Sequence, residues 1–208
     1  KNDVNIKVIG KLVSKPYIDI TIDIMEKFGV EVINKDYKSF LIKSSQVYTP
    51  RSYAIEGDLS SASYFFAIPA ITKGSITVKN INPDTVQGDI NFLKILDRMG
   101  CKVNVSDSKI VVGCDSRLQG MEVDMNKMPD IVPTLSVIAG FSKGTTKIKN
   151  IGSLRLKESD RIKAISNELT KLGIENKTTQ NSIIIRGGEP KSNIEIDTYN
   201  DHRIAMSF

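Results

Sequence analysis

Apolar residues recur along this chain first with the period of a helix and then with that of strands. Positions 76–79 alternate as a strand does, and positions 89–99 place their apolar residues on one helical face. Two short alternating segments follow at 102–105 and 109–112, with a polar turn between them, and they predict a hairpin.

The same order returns further along, and a second kind of helix precedes it. Positions 160–172 predict an amphipathic helix, and positions 182–186 predict a closing strand. Positions 60–72 and 131–142 are rich in small and apolar residues all round, which is typical of helices buried in a core. The predicted unit is therefore helix, strand, helix and hairpin.

Sequence similarity between the copies indicates a true repeat. The segment at 74–82 reappears at 144–152. Phe-Gly-Val at 28–30, Met-Gly-Cys at 99–101 and Leu-Gly-Ile at 172–174 each end an amphipathic stretch, where glycine is typical of a helix C-terminus. Three copies of a mixed unit predict an α/β architecture in which buried helices pack against sheets.

The composition favours small anionic ligands over nucleic acid as partners. Of the 208 residues, 40% are hydrophobic and 25% are charged, and the net charge is +5. Lysine and arginine are spread along the chain, and the 6% of aromatic residues do not alternate with them as stacking platforms would. No segment resembles a membrane span or a secretory signal, so we expect no membrane partner and a cytoplasmic location.

Two cysteines and one histidine limit the possible metal chemistry. Cys101 and Cys114 lie in neighbouring predicted strands, where we interpret them as small core residues, with a disulfide as the less favoured alternative. His202 is the single histidine and no cysteine pair has metal-binding spacing, so the sequence predicts no zinc site. A reducing cytoplasm fits this usage.

Charge is most concentrated in two short runs, Lys-Glu-Ser-Asp-Arg at 157–161 and Asp-His-Arg at 201–203. We expect Lys157, Glu158 and Arg161 to meet on the first turn of a helix, where such density suits an anion site that also moves protons. The alternative is a solvated helix start with a Glu158–Arg161 ion pair.

Equivalent loops lie at 13–17, 83–88 and 152–159, each between the first strand and the following helix of a copy. If the copies surround a common axis, these loops converge and bring several helix N-termini together. Their free N–H groups and dipoles would favour an anion there.

Several other polar positions have both a structural and a functional interpretation. Asp130 precedes a buried helix, so a helix N-cap is the default and a proton-accepting carboxylate is the alternative. His202, as a lone histidine, is by default structural. We interpret Ser60 and Ser61 as capping hydroxyls and Gly57 as a hinge.

Six motifs follow one another over essentially the whole chain, namely SKPYIDIT at 14–21, EGDLSSASYF at 56–65, QGD at 87–89, PD at 129–130, RLKESDR at 155–161 and NDHRIAM at 200–206. In this order they resemble the 5-enolpyruvylshikimate-3-phosphate synthase family. The resemblance implies two domains of three βαβαββ units each, forming an inside-out α/β barrel that is partial here. Residues 1–56 would be the last unit of the first domain, and residues 57–208 would be two units and the start of a third in the second domain.

The resemblance also implies a reaction. In this family the enolpyruvyl group of phosphoenolpyruvate is transferred to the 5-hydroxyl of shikimate 3-phosphate, and phosphate is released. Addition and elimination require one proton taken from the hydroxyl and one delivered to the methylene carbon. The implied partners are these two small anions, with no cofactor and no metal, and the implied state is a monomer.

By resemblance, four positions match catalytic residues of the family. Asp130 matches the proton acceptor, and Lys157 matches a residue that touches the reacting hydroxyl. Glu158 matches a residue implicated in proton transfer at the methylene carbon, and His202 lines the same pocket.

By resemblance, further positions match binding residues. The shikimate 3-phosphate set comprises Ser14, Tyr17, Asp130, Ser153 and Lys157. The phosphoenolpyruvate set comprises Arg161 and Arg203, and the planar fork of arginine suits carboxylate and phosphate groups.

The chain also departs from the family pattern. Ser153 stands where some members have an asparagine, and the family's flanking lysine and arginine segments have no counterpart here. The expectation is a fragment truncated at both ends that is inactive alone. Two alternatives stay open: the sister enolpyruvyl transferase acting on UDP-N-acetylglucosamine, which the charged runs disfavour, and a non-catalytic anion-binding module.

Overall fold

The computed structural model describes residues 2–208, and the chain divides into two compact units. The first unit contains the residues up to Ile55 together with Val86–Gly88. The second contains Glu56–Thr85 and Asp89–Phe208. The assignment of residues 1–56 and 57–208 to two domains of the family stays a prediction.

The first unit is a three-stranded antiparallel sheet with one helix, and its strand order is β1-β3-β2. Proline at the start of the helix is favourable because an N–H there has no partner within the helix. The buried apolar residues are few, namely Val30, Val32 and Phe40. The elements are β1 (Val4–Lys7), α1 (Lys15–Lys27), β2 (Ile33–Lys35) and β3 (Ser39–Ile42).

The second unit begins with a helix and a second antiparallel sheet, of order β4-β6-β5. A short 3-10 helix, Gly88–Asn91, leads into the amphipathic helix α3. The elements are α2 (Leu59–Thr72), β4 (Gly74–Lys79), α3 (Phe92–Met99), β5 (Lys102–Ser106) and β6 (Lys109–Cys114).

The rest of the second unit contains a four-stranded sheet of order β7-β8-β10-β9, in which β7 is parallel to β8 and the other pairs are antiparallel. Two 3-10 helices, Pro129–Ile131 and Gly152–Leu156, precede α4 and α5. The elements are β7 (Glu122–Asp124), α4 (Val132–Phe141), β8 (Thr145–Lys149), α5 (Arg161–Lys171), β9 (Asn176–Thr178), β10 (Ser182–Arg186) and α6 (His202–Ser207).

The topology confirms the repeat that the sequence predicts. In each copy the closing strand lies between the opening strand and the middle strand, as in β1-β3-β2, β4-β6-β5 and β8-β10-β9. Asn80 and Asn150, which follow β4 and β8, adopt the same left-handed conformation with φ of 62° and 60°. The α/β fold is therefore built from one unit used three times.

Helices α2 and α4 pack against each other at the centre of the second unit, and α4 also contacts α5 and α6. Every residue of α4 from Val132 to Gly140 is buried, as predicted. Helix α2 is buried on one side but exposes Phe65 by 51% and Ile68 by 49%. Among residues 2–208, no helix has the length and apolar content that crossing a membrane requires.

Two helix starts differ from the sequence-based expectations. Helix α5 begins at Arg161, so the prediction that Lys157, Glu158 and Arg161 share one helical turn was wrong. The reason is Asp160, whose carboxylate accepts a hydrogen bond from the Lys163 N–H at 3.0 Å and so places the helix boundary after itself.

At the start of α2, Asp58 is the capping residue, and the interpretation of the two serine hydroxyls as caps was wrong. The Asp58 carboxylate accepts from the backbone N–H groups of Ser60 and Ser61 at 3.0 and 3.2 Å. Both serine hydroxyls donate to the same carboxylate, at 2.7 and 2.6 Å. A carboxylate has enough acceptor positions to satisfy all of these donors, which one hydroxyl does not.

Cys101 and Cys114 form a disulfide, so the interpretation of both as free core residues was wrong. The antiparallel register of β5 and β6 pairs Lys102 with Gly113, which places the two cysteines opposite each other at the end of the hairpin. Their Cα atoms lie 4.7 Å apart, a separation that a disulfide spans. Both residues are also buried, as the sequence predicts.

Reduction of this disulfide should lower the free energy of unfolding by about 3 kcal/mol, because the bond restricts a loop of the unfolded chain. Urea unfolding of oxidised and reduced protein measures the difference. A Cys101→Ala/Cys114→Ala double variant is the control, since reductant should not move its midpoint. Equal midpoints for the oxidised and reduced protein would contradict the expectation.

Gly120→Ala should destabilise the second unit, because a Cβ atom at this position would lie 2.5 Å from the backbone oxygen of Thr145. The strand backbone would have to move, and such overpacking costs about 1–3 kcal/mol. Gly188→Ala is the matched control, since its Cβ would meet only the Ile174 side chain at an ordinary 3.5 Å. Thermal unfolding of both variants tests the difference, and equal melting temperatures would argue against this tight approach.

Candidate active site

Asp130 lies at the centre of the charged cluster in the second unit. Its Oδ1 is 3.0 Å from Nη1 of Arg161 and 3.5 Å from Nζ of Lys157, and its Oδ2 is 3.5 Å from Nη2 of Arg203. The capping positions of the 3-10 turn and of α4 are Met128 and Ile131, so the default interpretation of Asp130 as an N-cap was wrong. Its carboxylate instead joins cations from two separate segments.

Arg161 is the innermost of these cations, with a side chain only 1% exposed. Its guanidinium donates to three carboxylates: from Nε to Asp201 Oδ2 at 2.8 Å, from Nη1 to Asp130 at 3.0 Å, and from Nη2 to Glu158 Oε2 at 2.5 Å. A second bond joins Nη2 to Asp201 Oδ1 at 3.2 Å. A buried charge with this many partners is held in one orientation.

Asp201 is the fully buried partner of Arg161 and also caps the last helix. Its carboxylate accepts from the backbone N–H of Arg203 at 2.9 Å and from the hydroxyl of Ser159 at 2.9 Å. Burial alone would raise the pKa of Asp201, but the hydrogen bonds from Arg161 and Ser159 outweigh it and hold that pKa below its usual range. Asp201 therefore stays ionised beside Arg161.

Three helix starts meet at this cluster. Asp130 lies in the 3-10 turn before α4, Arg161 is the first residue of α5, and Asp201 caps α6. The contacts among these three residues show that the starts of α4, α5 and α6 converge within the second unit. The expected convergence of the loops at 13–17, 83–88 and 152–159 stays a prediction.

The outer layer of the cluster is formed by side chains that reach solvent. Lys157, Glu158 and His202 are 31%, 48% and 61% exposed, and His202 Nδ1 lies 4.0 Å from Glu158 Oε1. An entering anion would meet Lys157 and His202 directly. It would reach Arg161 only if Glu158 moved aside.

Arg203 connects this layer to α2. Its Nη1 donates to the hydroxyl of Tyr64 at 3.2 Å, while its Nε is buried without a hydrogen-bond partner among the described residues. Burial would lower the pKa of Arg203, but Tyr64 and the negative charges of Asp130 and Asp58 raise it above its usual range. Arg203 is thus a permanent cation with donor capacity left for a ligand.

Asp89 is a buried carboxyl group beside the cluster. Burial, together with the negative charges of Asp130 and Asp58, raises the pKa of Asp89 to about 7 against the opposing positive charge of Arg203. Its Oδ1 has no hydrogen-bond partner within the described part of the chain. Asp89 is therefore a group that changes its charge near neutral pH.

The remaining candidates lie outside this cluster. Ser14 and Tyr17 belong to the first unit, where Ser14 precedes α1 with a left-handed φ of 56° and its side chain makes no cap hydrogen bond. Ser153 lies partly exposed in the 3-10 helix before α5. Among residues 2–208, no group of three His, Cys, Asp or Glu side chains is arranged to hold a metal ion.

Sequence reasoning missed several members of the cluster. Asp201 is assigned no role from the sequence within the charged run at 201–203, although an aspartate directly before a short helix is a cap signal. Tyr64, Asp89 and Ser159 have no local signal, because their partners are distant in the sequence. Their place in the cluster depends on how α2, α3 and α5 pack.

Comparison with known proteins identifies relatives over the whole chain. The sequence model of the family EPSP synthase (3-phosphoshikimate 1-carboxyvinyltransferase) matches residues 1–208. A 3-phosphoshikimate 1-carboxyvinyltransferase of Vibrio atlanticus is 45% identical over 100% of this chain and 49% of its own length. One from Buchnera aphidicola is 47% identical over 98% of this chain and 48% of its own length.

Solved structures share the fold. EPSP synthase from Acinetobacter baumannii superposes with a TM-score of 0.82 at 24% identity, covering 100% of this chain and 49% of that one. The enolpyruvyl transferase NikO from Streptomyces tendae superposes with a TM-score of 0.63 at 16% identity, over 89% of this chain and 43% of that one.

The matches therefore agree in both sequence and fold. The chain spans about half the length of the curated relatives it matches, between 48% and 49% in the two cases above. With the family's sequence model matching from end to end, this chain belongs to the EPSP synthase (3-phosphoshikimate 1-carboxyvinyltransferase) family.

Proposed function

We propose that the full-length protein containing this chain transfers the enolpyruvyl group of phosphoenolpyruvate to the 5-hydroxyl of shikimate 3-phosphate and releases phosphate. The observation that carries this proposal is the contact of one carboxylate, Asp130, with Lys157, Arg161 and Arg203. Membership of the family indicates the reaction, and this cluster provides the carboxylate and the cations that the reaction needs.

In this proposal Asp130 accepts the proton of the attacking hydroxyl. Its carboxylate is partly exposed, so a substrate hydroxyl can reach it. Lys157 Nζ lies 3.5 Å from Oδ1 of Asp130, which supports its proposed contact with the reacting hydroxyl. Such a contact would orient the hydroxyl toward the carboxylate. Proton removal by a positioned carboxylate is general-base catalysis.

Glu158 is proposed to deliver the proton to the methylene carbon, with His202 lining the same pocket. Both side chains reach solvent, and His202 Nδ1 lies 4.0 Å from Glu158 Oε1. Movement of Glu158 away from Arg161 would also open that guanidinium to phosphoenolpyruvate. Arg161 and Arg203 are the proposed cations for the carboxylate and phosphate of this substrate.

The cations of the cluster that reach solvent support anionic substrates. The Lys157 side chain is 31% exposed and that of Arg203 is 13% exposed, so an anion can approach both. The cations then stabilise the negative charge of the transition state.

The other proposed ligands of shikimate 3-phosphate are Ser14, Tyr17 and Ser153. The hydroxyl of Ser14 is not used as a helix cap, which is consistent with a binding role. We further propose that the protein acts as a monomer in the cytoplasm on these two small molecules, without nucleic acid or a cofactor. The 208-residue chain alone is expected to be inactive, because its relatives are about twice as long.

Asp130→Asn in the full-length protein should lower kcat at least about 100-fold, because the amide does not accept the hydroxyl proton. Binding of shikimate 3-phosphate, measured by calorimetry, should persist. The control is Asp97→Asn, which makes the same change at an exposed position of α3. Normal turnover by Asp130→Asn would contradict the assignment.

The same calorimetry separates this function from its alternative. Binding of UDP-N-acetylglucosamine in place of shikimate 3-phosphate would point to the sister transferase. Binding of shikimate 3-phosphate without phosphate release on addition of phosphoenolpyruvate would point to a non-catalytic anion-binding module.

Asp89→Asn should stabilise the protein at high pH but not at low pH. Asp89 keeps its proton in the folded state up to about pH 7, whereas an unfolded aspartate loses it near about pH 3.9. The folded state therefore binds more protons in this window, and the contribution of Asp89 to stability falls as the pH rises through it. The asparagine variant has no such loss.

Urea unfolding at pH 5 and pH 8.5 measures this effect. Relative to the wild type, the free energy of unfolding of Asp89→Asn should rise by about 3 kcal/mol between the two pH values, since one pKa unit corresponds to about 1.4 kcal/mol. The free energy of unfolding of the control Asp97→Asn, relative to the wild type, should change little between the two pH values. An equal gain for both variants would show that burial of Asp89 is not the cause.

A further inference from the structure

Glu168 is a buried carboxylate that takes no part in the proposed chemistry. It lies on α5 with a side chain that is 0% exposed, seven residues after Arg161 and so about 10 Å along the helix. Burial of a carboxylate is unfavourable unless donors surround it. Three donors surround Glu168 here, and two of them come from another segment of the chain.

The donors to Glu168 come from the segment before α6 and from its own helix. The hydroxyl of Tyr199 donates to Oε1 at 2.6 Å, and the backbone N–H of Asp197 donates to Oε2 at 3.1 Å. Lys171 lies 3.0 Å from Oε2 and also pairs with the Asp197 carboxylate at 2.7 Å. Residues 197–199 are therefore attached to α5 at two points.

This attachment stabilises a backbone conformation that is unfavourable for residues other than glycine. Tyr199 and Asn200 are consecutive non-glycine residues in the left-handed region, with φ of 56° and 52°. Such residues persist only where the surroundings hold them. Burial and the hydrogen bond to Glu168 raise the pKa of Tyr199, so its hydroxyl remains a proton donor at neutral pH.

The residue that follows these two is Asp201. Its backbone N–H donates to the Thr198 oxygen at 2.9 Å, and its carboxylate binds Arg161 through both oxygens. The segment between Asp197 and Asp201 is thus tied to α5 at Glu168 on one side and at Arg161 on the other. The left-handed turn sets the direction of the Asp201 side chain.

We propose that Glu168 and Tyr199 are positioning residues that orient Asp201, and through it Arg161 and Arg203, for the phosphoenolpyruvate side of the site. Neither residue contacts the cluster around Asp130 directly. Their effect passes through Asp201, which binds the Arg161 guanidinium and the backbone N–H of Arg203. The functional part of this inference rests on the proposed function.

The proposal predicts a selective kinetic effect. Tyr199→Phe removes only the hydroxyl, so the left-handed turn loses one of its two attachments to α5 and the direction of Asp201 becomes less fixed. The KM for phosphoenolpyruvate should rise about tenfold, because small displacements of positioned groups have large effects. The KM for shikimate 3-phosphate should change less than about twofold, since its proposed ligands do not contact Asp201.

Tyr37→Phe is the matched control. Its hydroxyl donates to the carboxylate of Asp19 at 2.7 Å, so the same change removes the same kind of bond in the first unit. The KM for phosphoenolpyruvate should be unchanged in this variant. Urea unfolding of both variants separates a loss of positioning from a loss of stability.

A direct measurement on the 208-residue chain does not depend on the reaction. The Arg161 Nε–H is buried and bonded to Asp201, so its NMR signal in protein with ¹⁵N-labelled arginine should exchange slowly with solvent. Tyr199→Phe should speed this exchange at least about tenfold, and Tyr37→Phe should leave it unchanged.

The outcomes separate the two proposals. Faster exchange together with a higher KM for phosphoenolpyruvate supports the inference. Unchanged exchange overturns it and leaves the proposed function intact. Faster exchange in Tyr199→Phe, combined with a full-length wild-type protein that shows no turnover, supports the link from Tyr199 to Arg161 and rejects the proposed function. Faster exchange in this variant with an unchanged KM in an active enzyme overturns the functional role.

Discussion

A guanidinium removed from water must find carboxylates for its donors, and this requirement at Arg161 organises the second unit. Its three acid partners, Asp130, Glu158 and Asp201, come from separate segments before α4, α5 and α6. A shift of the segment before α4 or α6 would remove a carboxylate partner from this buried charge, which is more costly than the loss of an exposed ion pair. The ion cluster therefore fixes the relative positions of three helix starts.

The same requirement divides the site into an inner and an outer layer. Arg161 and Asp201 are enclosed and bound to each other, whereas Lys157, Glu158 and His202 reach solvent. A rigid inner layer suits catalysis, because groups that do not reorganise during the reaction stabilise charge most effectively. The outer layer provides the side chains that exchange partners when an anion arrives.

The repeat explains how one unit serves different purposes. The opening, closing and middle strands have the same order in all three sheets, to which the third sheet adds β7, yet the second and third copies differ in the loop before their amphipathic helix. In the second copy this stretch leads to the buried Asp89, and in the third it contains Lys157, Glu158 and Arg161. The sheets and buried helices provide the frame, while the loops between strand and helix determine the chemistry.

Local pattern determined the repeat, the helices, the hairpin of β5 and β6 and the charged runs, because period and composition act over a few neighbouring residues. The resemblance to a known family added candidate catalytic and binding residues. Tertiary structure alone decided that Asp130 binds cations rather than caps a helix, that Cys101 meets Cys114, and that Tyr199 reaches Glu168. These contacts join residues 13 to 73 positions apart, and their energies depend on burial and register, which exist only once the chain has folded.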